Sequence, residues 1–255
     1  MYILGYNFIF VDKLIKDLQD LVASSKKLVA FTGAGISADS GISTFRGAGG
    51  LWSKYDPDIY ANINIFMQDS TYYWNFFRDE RYPVIKKAKP NAAHYALVEL
   101  EKQEKLYGVI TQNIDGLHQI AGQSYVIELH GNTRKIKCLK CEKIYRWDEV
   151  YNQLEKELPP RCNSCGGRLK PATILFGEPL PQIALDEAVI AAKKCDTFLV
   201  LGSSLVVYPA AQLPVIAKEN NAKLAIINID PIPLDDIADV VIHDNASRVL
   251  SKIKG

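Results

Sequence analysis

The sequence contains no run of eighteen apolar residues, so no segment of it is expected to cross a bilayer as a helix. It also lacks an excess of charge, because 30 lysines and arginines stand against 29 aspartates and glutamates. A protein that relies on nucleic acid or an anionic membrane as its partner needs a basic surplus. The apolar first residues lack the basic leading region of a secretory signal, so we expect a packed N-terminal segment instead.

Cysteine is scarce, and its spacing is informative. Of five cysteines, four form two C-x-x-C pairs, Cys138/Cys141 and Cys162/Cys165. An odd number argues against a secreted disulfide framework, so we expect a reducing, cytoplasmic setting. Two such pairs can supply four thiolates to one Zn²⁺ and leave no open position on the metal, which predicts a structural zinc. A redox pair is the alternative for these four, and Cys195 is expected to be a core thiol.

Four lysines near the cysteine pairs leave a second interpretation of this segment open. They are Lys135, Lys137, Lys140 and Lys143. A zinc ribbon with such a cluster could bind nucleic acid, although a run of charge is more often a solvated face. Direct nucleic-acid binding is therefore not the favoured prediction.

Short apolar strands alternate with helices along much of the chain, which indicates a parallel sheet covered on both faces. The predicted strands are residues 27–32, 106–111, 126–130, 197–202, 223–229 and 238–242. The predicted helices lie around residues 14–22, 92–103, 183–194 and 209–220, with a last one from residue 246. With 255 residues, 48% of them hydrophobic, the chain can form one large domain with a small insert. We predict an α/β fold with a Rossmann-like, doubly wound parallel sheet.

Two stretches interrupt this alternation. Residues 41–90 are rich in aromatic side chains and show no clear strand, and residues 133–170 hold the cysteine pairs. We expect them to form a helical module and a zinc-binding module, which together make a small lobe over the edge of the sheet. The Rossmann-like domain would then comprise residues 1–40, 91–132 and 171–255.

Glycines and small polar residues follow four of the predicted strands. Gly33, Gln112, Gly202 and Asn228 each come directly after, or at the end of, an apolar run. In open α/β sheets, ligands bind beyond the carboxyl ends of the strands. The sequence therefore predicts a binding site at this edge, independently of any single motif.

The stretch FTGAGISADSGISTFRGAGG, residues 31–50, begins like a dinucleotide-binding turn, because Gly33, Gly35 and Ala38 fit the G-x-G-x-x-G/A pattern. A dehydrogenase would carry an acidic residue about 20 residues further on, at the end of its second strand. Asp56 lies near that distance, but its surroundings do not read as a strand. The turn therefore favours a nucleotide cofactor and disfavours hydride transfer. Arg46 further along suits a pyrophosphate or a ribose.

The four histidines are the candidates for acid–base chemistry. His130, in the sequence ELHG, is predicted to end a strand and project into the crevice, as either a general base or a structural residue. His94 and His243 are expected to be structural, and His118 to support the loop before it.

Amide and carboxylate side chains cluster after the second strand, in TQNIDGLH. Gln112, Asn113 and Asp115 can hydrogen-bond a carboxamide and ribose hydroxyls. The alternative is a turn that Asn and Asp side chains stabilise.

Seven motifs occur together in one order: GAGISADSGISTFR, TQNIDGLH, ELHG, the two C-x-x-C pairs, ILFGEPLP, GSSLVVYPAA and NID. In this the chain resembles the sirtuins, NAD-dependent protein-lysine deacylases, over about residues 27–250. The stretch STFRGAGGLW is similar to the class III branch, in which a threonine precedes the Phe-Arg pair.

The resemblance implies that NAD and an acyl-lysine protein or peptide enter a cleft between the two lobes. The residues that it assigns to NAD are Gly33, Ala34, Gly35, Ile36, Ser37, Thr44, Phe45, Arg46, Trp52, Gln112, Asn113, Ile114, Asp115, Gly202, Ser203, Ser204, Asn228, Ile229, Asp230 and Ala246. The residues that it assigns to the substrate are Ile174, Leu175, Phe176, Gly177, Glu178 and Val206. His130 is similar to the family's general base, and Asn113 is the second catalytic residue implied.

The implied mechanism begins with Asp115 holding the carboxamide while nicotinamide leaves. The acyl oxygen attacks the anomeric carbon and gives an imidate. His130 accepts a ribose proton, directly or by relay, so that this hydroxyl attacks the imidate. Water then completes the release of free lysine and O-acyl-ADP-ribose. The substrate backbone would add as a strand between residues 174–178 and 204–209. Two rival functions are mono-ADP-ribosyl transfer to a protein and a non-enzymatic, NAD-binding zinc-ribbon sensor.

One departure from the class III pattern concerns the acyl group. Members that remove succinyl groups resemble one another in a Tyr-x-x-Arg pair within the helical module. Counting from Trp74, those places hold Phe77 and Glu80, neither of which can pair with a carboxylate. Arg78 and Arg81 lie on the wrong phase for a regular helix. We therefore predict a preference for neutral acyl groups, acetyl or longer, over succinyl.

Overall fold

The computed structural model describes residues 3–47 and 49–253, with side chains from residue 12 onward apart from residue 48. The predicted packing of the first apolar residues falls largely on side chains outside this range. From the next turn of the same helix, Ile15, Leu18 and Val22 are buried, as their helical spacing predicts. No helix within the described ranges combines the length and apolar character needed to cross a bilayer.

The described residues include nine strands and eleven α-helices, together with shorter helical turns and loops. The strands are β1 Leu28–Thr32, β2 Leu106–Thr111, β3 Val126–Glu128, β4 Gly131–Cys138, β5 Ile144–Arg146, β6 Leu169–Thr173, β7 Thr197–Leu201, β8 Lys223–Ile227 and β9 Val240–Ile242. The helices are α1 Ile3–Ser24, α2 Pro57–Tyr60, α3 Ile63–Gln68, α4 Thr71–Phe76, α5 Tyr82–Lys87, α6 Ala92–Lys102, α7 Leu117–Ala121, α8 Trp147–Leu154, α9 Gln182–Lys194, α10 Leu213–Glu219 and α11 Ala246–Leu250.

Six of the strands form one parallel sheet in the order β3-β2-β1-β7-β8-β9. Numbered among themselves, they follow the order 3-2-1-4-5-6 of doubly wound dinucleotide-binding sheets. The central strands β1 and β7 are buried along their whole length, as expected for a sheet with helices on both faces. The predicted fold class is confirmed, and the direction of the strand order reverses between β1 and β7.

Two apolar layers cover the sheet. Side chains of α1, α6 and α11 pack on one face, and those of α9 and α10 pack on the other. Cys195 ends α9 within the second layer, where the predicted core thiol is indeed buried.

A third apolar cluster lies apart from the large sheet. It joins the two interrupting stretches, which we call the helical segment (residues 41–90) and the cysteine segment (residues 133–170). The cysteine segment contributes most of an antiparallel sheet in the order β5-β4-β6. The fully buried Trp74 ties the two together, because its Nε1 donates to the Leu169 carbonyl oxygen at 3.2 Å.

Several predicted boundaries differ in the structure, and the strands predicted over residues 223–229 and 238–242 are shortened to β8 Lys223–Ile227 and β9 Val240–Ile242. The strand predicted over residues 126–130 ends at Glu128, because the chain turns at Leu129 and His130 to enter β4. The helix predicted over residues 209–220 begins with a separate 3₁₀ turn, Ala210–Gln212, before α10. The glycine turn leads into a 3₁₀ helix, Ala34–Ser40, where a dinucleotide-binding turn usually opens an α-helix.

Candidate active site

A cavity of about 830 Å³ opens at the carboxyl ends of the central strands. Gly33, Gln112, Gly202 and Asn228, the residues that follow β1, β2, β7 and β8, all line it. The helical segment and residues 173–180 form the facing wall. The cavity therefore lies at the carboxyl ends of the strands, where the residues that follow them predicted a binding site.

The glycine turn is shaped by close packing against the turn after β7. A Cβ atom on Gly33 would lie 2.7 Å from the Gly202 carbonyl oxygen, and one on Gly35 would lie 2.6 Å from the Gly202 Cα. The Gly35 backbone N–H donates to that same oxygen at 2.8 Å. These glycines let the two turns meet at the point where the strand order reverses, which is where dinucleotides bind in this architecture.

The cavity wall contains most of the residues that the sequence predicted for it. Of the twenty assigned to NAD, seventeen line the cavity, as do all six assigned to the substrate and His130. The three that do not line it are Ile36, Ser37 and Asp115.

Asp115 lies behind the wall and not in it. Its carboxylate accepts the Ser37 hydroxyl and the Leu117 backbone N–H, each at 2.8 Å. The Asn113 side-chain amide in turn donates to Ser37 Oγ at 3.2 Å and to the Gly33 carbonyl oxygen at 3.0 Å. In the structure Asp115 thus holds Ser37, and Ser37 holds Asn113, while the contact of Asp115 with a carboxamide stays a prediction.

His130 lies in the wall with one ring nitrogen occupied. Its Nδ1 is 3.0 Å from the Gln112 carbonyl oxygen, which can only accept, so Nδ1 carries the proton. Nε2 is then the nitrogen with a free lone pair. Burial lowers the pKa of this histidine below its ordinary value, so the ring is neutral near pH 7. A neutral imidazole with a free Nε2 can accept a proton.

The other buried histidines lie away from the cavity. The rings of His94 and His118 are 4.9 Å apart, and His118 Nε2 lies 3.0 Å from Thr32 Oγ1. Burial lowers the pKa of His94 to about 4 and that of His118 to about 3, so both are uncharged near neutrality. Thr32 in turn donates to Thr111 Oγ1 at 2.8 Å, beside the loop that begins at Gln112, which agrees with a supporting role for His118.

The loop after the glycine turn folds back on itself over the cavity. Leu51 and Trp52 donate their backbone N–H groups to the carbonyl oxygens of Thr44 and Phe45, at 2.8 and 3.0 Å. The rings of Phe45 and Trp52 lie 5.3 Å apart. Arg46 is exposed at the edge of the same loop, where its guanidinium is free to meet an anionic group.

The four predicted zinc ligands come together in the cysteine segment. All four sulfur atoms lie within 4.8 Å of one another. The Cys138–Cys165 and Cys141–Cys162 pairs are separated by 3.6 and 3.7 Å. A tetrahedron with Zn–S bonds of about 2.3 Å has edges of about 3.8 Å, so the sulfurs already have the spacing of a Zn²⁺ site.

The chemistry of the donor set also suits zinc. The Tyr145 hydroxyl lies 3.0 Å from the Cys162 sulfur, and this hydrogen bond lowers the pKa of the thiol to about 6. A lowered pKa favours the thiolate, which is the form that binds metal. Four thiolates would fill the tetrahedron, so the ion would be structural.

Comparison with known proteins decides the family. The model of the Sir2 family matches residues 33–209, more than half of the chain. The chain belongs to the Sir2 family. An NAD-dependent protein deacylase 2 of Archaeoglobus fulgidus is 50% identical over 240 residues, covering 94% of each chain. An NAD-dependent protein deacetylase of Sulfurisphaera tokodaii is 49% identical, covering 91% of each.

A solved structure of a Sir2 enzyme with a p53 peptide and NAD⁺ has the same fold. It superimposes with a TM-score of 0.88 at 40% identity and covers 94% of this chain and 96% of its own. The similarity therefore extends over both the large sheet and the two interrupting segments.

In this Sir2-family protein, residues 174–178, which were predicted to contact the substrate and are called the substrate segment below, are held on one side by the helical segment. The Phe176 backbone N–H donates to the Ala61 carbonyl oxygen at 2.7 Å, and the Ile63 N–H donates to the Phe176 carbonyl oxygen at 3.0 Å. Within residues 3–47 and 49–253, the backbone groups of Gly177 and Val206 have no hydrogen-bond partner. These two positions, on facing segments, offer free backbone edges to a peptide.

The prediction that Arg81 points away from the acyl-group site is wrong. A π-helical turn, Phe77–Arg81, follows α4 and places one more residue in the turn than an α-helix would. Arg81 is consequently 6% exposed and lines the cavity, with its guanidinium 5.2 Å from the centre of the Phe45 ring. Glu80, by contrast, is exposed and does not line the cavity.

Several residues of the cavity wall were not predicted from the sequence. They include Tyr60, Tyr73, Phe76, Arg81, Tyr208 and Asp244. Asp244 follows β9, so the strand-end rule applied to this last strand would have found it. The aromatic run YYWNFF is conspicuous in the sequence, but only the helix geometry shows which of its rings face the cavity.

Proposed function

We propose that this Sir2-family protein removes acyl groups from lysine side chains of proteins at the expense of NAD. The products would be free lysine, nicotinamide and O-acyl-ADP-ribose. The observation that carries the proposal is the position of His130, with its free Nε2, in one cavity between the glycine turn and the substrate segment. The relatives named deacylases and deacetylases support the same reaction class.

The strand ends and the loop above them are suited to hold NAD. Gly33, Gly202 and Ser203 meet where the strand order reverses, and Asn228 and Asp230 lie at the next strand end. When bound, NAD supplies the anomeric carbon that receives the acyl oxygen and the nicotinamide that leaves. Asn113, anchored through Ser37 to the buried Asp115, is the polar side chain that would orient the reacting end.

His130 would act as the general base. Its Nδ1–H donates to the Gln112 carbonyl oxygen, which fixes the ring and keeps the Nε2 lone pair directed away from that contact. Nε2 can then take a proton from a ribose hydroxyl, directly or by relay. The lowered pKa keeps the imidazole unprotonated at neutral pH, as a base requires.

The substrate backbone would bind by strand addition. Gly177 and Val206 present unpaired backbone groups, within the described residues, from the two segments that border the cavity. Main-chain hydrogen bonds of this kind give affinity with little demand on the peptide sequence. Ile174 and Phe176 line the same wall and would surround the uncharged acyl-lysine stem.

We propose neutral acyl groups as the better substrates. Phe76, Phe77 and Leu175 give the facing wall an apolar surface, and the Phe77 ring has no hydroxyl to offer a carboxylate. Glu80 lies outside the cavity and cannot repel an acyl group bound there. The preference for neutral acyl groups therefore depends on the apolar lining.

One observation favours a second activity, on acyl groups that end in a carboxylate. Arg81 is buried in the cavity wall and forms no ion pair with any residue that the structure describes. A buried guanidinium without a carboxylate partner is suited to an anionic ligand. Succinyl-lysine and acetyl-lysine peptides should therefore be compared on the wild type and on Arg81→Met.

The Arg81→Met variant should lose at least about tenfold in kcat/KM on succinyl-lysine and change little on acetyl-lysine. Equal losses on both peptides would assign Arg81 a general role and remove the second activity. A wild-type kcat/KM higher on succinyl-lysine than on acetyl-lysine would overturn the proposed neutral preference.

The deacylase proposal is tested by the release of nicotinamide from NAD with acetyl-lysine peptide, with the unmodified peptide and with no peptide. We expect release only with the acetylated peptide. If labelled NAD is used, nicotinamide release with the label left on a protein would favour mono-ADP-ribosyl transfer. NAD binding without release would favour the sensor.

Three further assignments complete the proposal. Residues 1–40, 91–132 and 171–255 would form the NAD-binding domain, with 41–90 and 133–170 as the two modules of a small lobe. The partner would be an acyl-lysine protein and not a nucleic acid or membrane, because the net charge is only +1. A cytoplasmic location follows from the metal-spaced cysteines, which need a reducing compartment.

A further inference from the structure

An ion pair between a buried lysine and a partly exposed glutamate lies at the base of the substrate segment. Lys170, in β6, is 5% exposed, and its Nζ lies 2.8 Å from Glu178 Oε2 and 2.5 Å from the Thr173 carbonyl oxygen. Glu178 Oε2 also accepts the Leu175 backbone N–H at 2.8 Å. Together these bonds form a clamp on residues 173–178.

The clamp closes a turn with Gly177 near its apex. The Glu178 backbone N–H donates to the Leu175 carbonyl oxygen at 3.0 Å, so both ends of the turn are bonded. Gly177 has a φ of +90°, which glycine adopts without strain, and a Cβ there would lie 3.0 Å from Ile63 Cγ2. The backbone groups of Gly177 are left unpaired among the described residues.

Stability alone is a poor reason to bury these charges. Removing the lysine from water costs several kcal/mol, and the Glu178 side chain, 22% exposed, is only partly desolvated. Apolar residues of similar volume often give a core that is at least as stable. Leu169, Lys170 and Pro171 are all buried, so Lys170 is a charged residue within a buried stretch of β6. A buried ion pair does specify a single geometry.

We propose that Lys170 is a positioning residue for the deacylation reaction. Through Glu178 it holds the turn at residues 175–178, so that the Gly177 backbone is presented to the acyl-lysine peptide before the peptide arrives. Glu178 is then a brace within the protein, which refines its predicted role as a substrate contact. The effect on the peptide rests on the proposed function, whereas the effect on the turn does not.

The kinetic test compares Lys170→Met with the wild type. The KM for acetyl-lysine peptide should rise at least about tenfold, while kcat at saturating peptide and the KM for NAD stay within about twofold. Lys170→Arg should restore most of the loss, because it keeps the charge and the donors. Lys137→Met is the matched control. Lys137 pairs with Glu142 on the surface and lies opposite Lys170 across the β4–β6 pair, so this variant should leave kcat and both KM values unchanged. A fall in kcat without a change in peptide KM would overturn the proposal.

A second readout needs no activity. Amide hydrogen exchange of the zinc-loaded protein should become faster over residues 174–178 in Lys170→Met and stay unchanged over β1 and β7. If Lys170→Met does not fold, Glu178→Gln should show a smaller change in the same direction. Unchanged exchange in a folded variant overturns the proposal. A wild type that releases no nicotinamide with peptide rejects the proposed function and leaves this result standing.

Discussion

The two walls of the cavity are built in different ways. The wall that carries the glycine turn is formed by the ends of β1, β2, β7 and β8, whose positions are set by continuous parallel pairing. The facing wall brings together the helical segment and residues 173–180, joined by few bonds such as the backbone pairing of Phe176. We therefore expect the loss of a single contact to disturb the facing wall more than the wall that the sheet forms.

Loss of the zinc site should break the facing wall and spare the sheet. Cys162→Ala removes one of four ligands, and structural zinc supplies about 10–16 kcal/mol of apparent binding energy in small domains. Peptide-dependent nicotinamide release should fall to background, while hydrogen exchange over β1 and β7 stays slow. Cys195→Ala, which removes a buried thiol from the large domain, is the matched control and should remain active. Loss of protection across the sheet in Cys162→Ala would show that the two walls are not separable.

Loss of the base should stop the reaction without harming either wall. His130→Ala is expected to lower kcat by about 10²- to 10⁴-fold, the usual contribution of a general base. NAD affinity and the zinc content should be retained. His243→Ala, an exposed histidine beside Asp235, serves as the control and should turn over normally. Normal deacylation by His130→Ala would assign the base to another residue.

A defect confined to the sheet wall should weaken NAD binding. Gly33→Ala places a methyl group 2.7 Å from the Gly202 carbonyl oxygen and 2.9 Å from Ser203 Cα, both backbone atoms that cannot move aside freely. Overpacking of this kind costs about 1–3 kcal/mol of folding stability, and the turn that moves to relieve it should bind NAD with a higher Kd. Calorimetric titration measures this Kd. An unchanged Kd would mean that the turn can relax.

The smallest effect concerns the buried histidine pair. In the folded protein the pKa values of His94 and His118 lie at about 4 and about 3, against about 6.5 for an exposed histidine. The unfolded chain therefore binds protons first as the pH falls, so the stability present above pH 6.5 is lost progressively below it. Each histidine should lower the free energy of unfolding by about 2 kcal/mol between pH 7 and pH 5.

Urea unfolding at several pH values, in excess zinc, measures that slope. His118→Gln should be less sensitive to pH than the wild type, because one of the two neutral imidazoles is gone. Identical slopes for both proteins would place the pH dependence elsewhere.

The difference between the walls also explains what the sequence could predict. β1 and β7 are apolar runs that end at glycines, and the side-chain pattern alone located them and the cavity edge. The cysteine spacing identified the metal cluster for the same reason, because four ligands in two pairs suit one tetrahedron.

Which side chains line the facing wall could not be predicted from the sequence, because it depends on helix geometry that a residue pattern does not contain. The π-helical turn Phe77–Arg81 shifts the phase of every side chain after it, which is why Arg81 lies in the cavity and Glu80 does not. The hydrogen bonds that the Asp115 carboxylate accepts from Ser37 and Leu117 were likewise not contained in its motif. Which hydrogen bonds a buried carboxylate makes is decided by tertiary packing.

The most direct test of the account is the product stoichiometry in a single reaction with NAD and acetyl-lysine peptide. Mass spectrometry of the quenched mixture should find one nicotinamide and one O-acetyl-ADP-ribose for each lysine freed, and His130→Ala should form almost none of the three. Free acetate in place of O-acetyl-ADP-ribose, or lysine release without NAD, would contradict the proposed reaction.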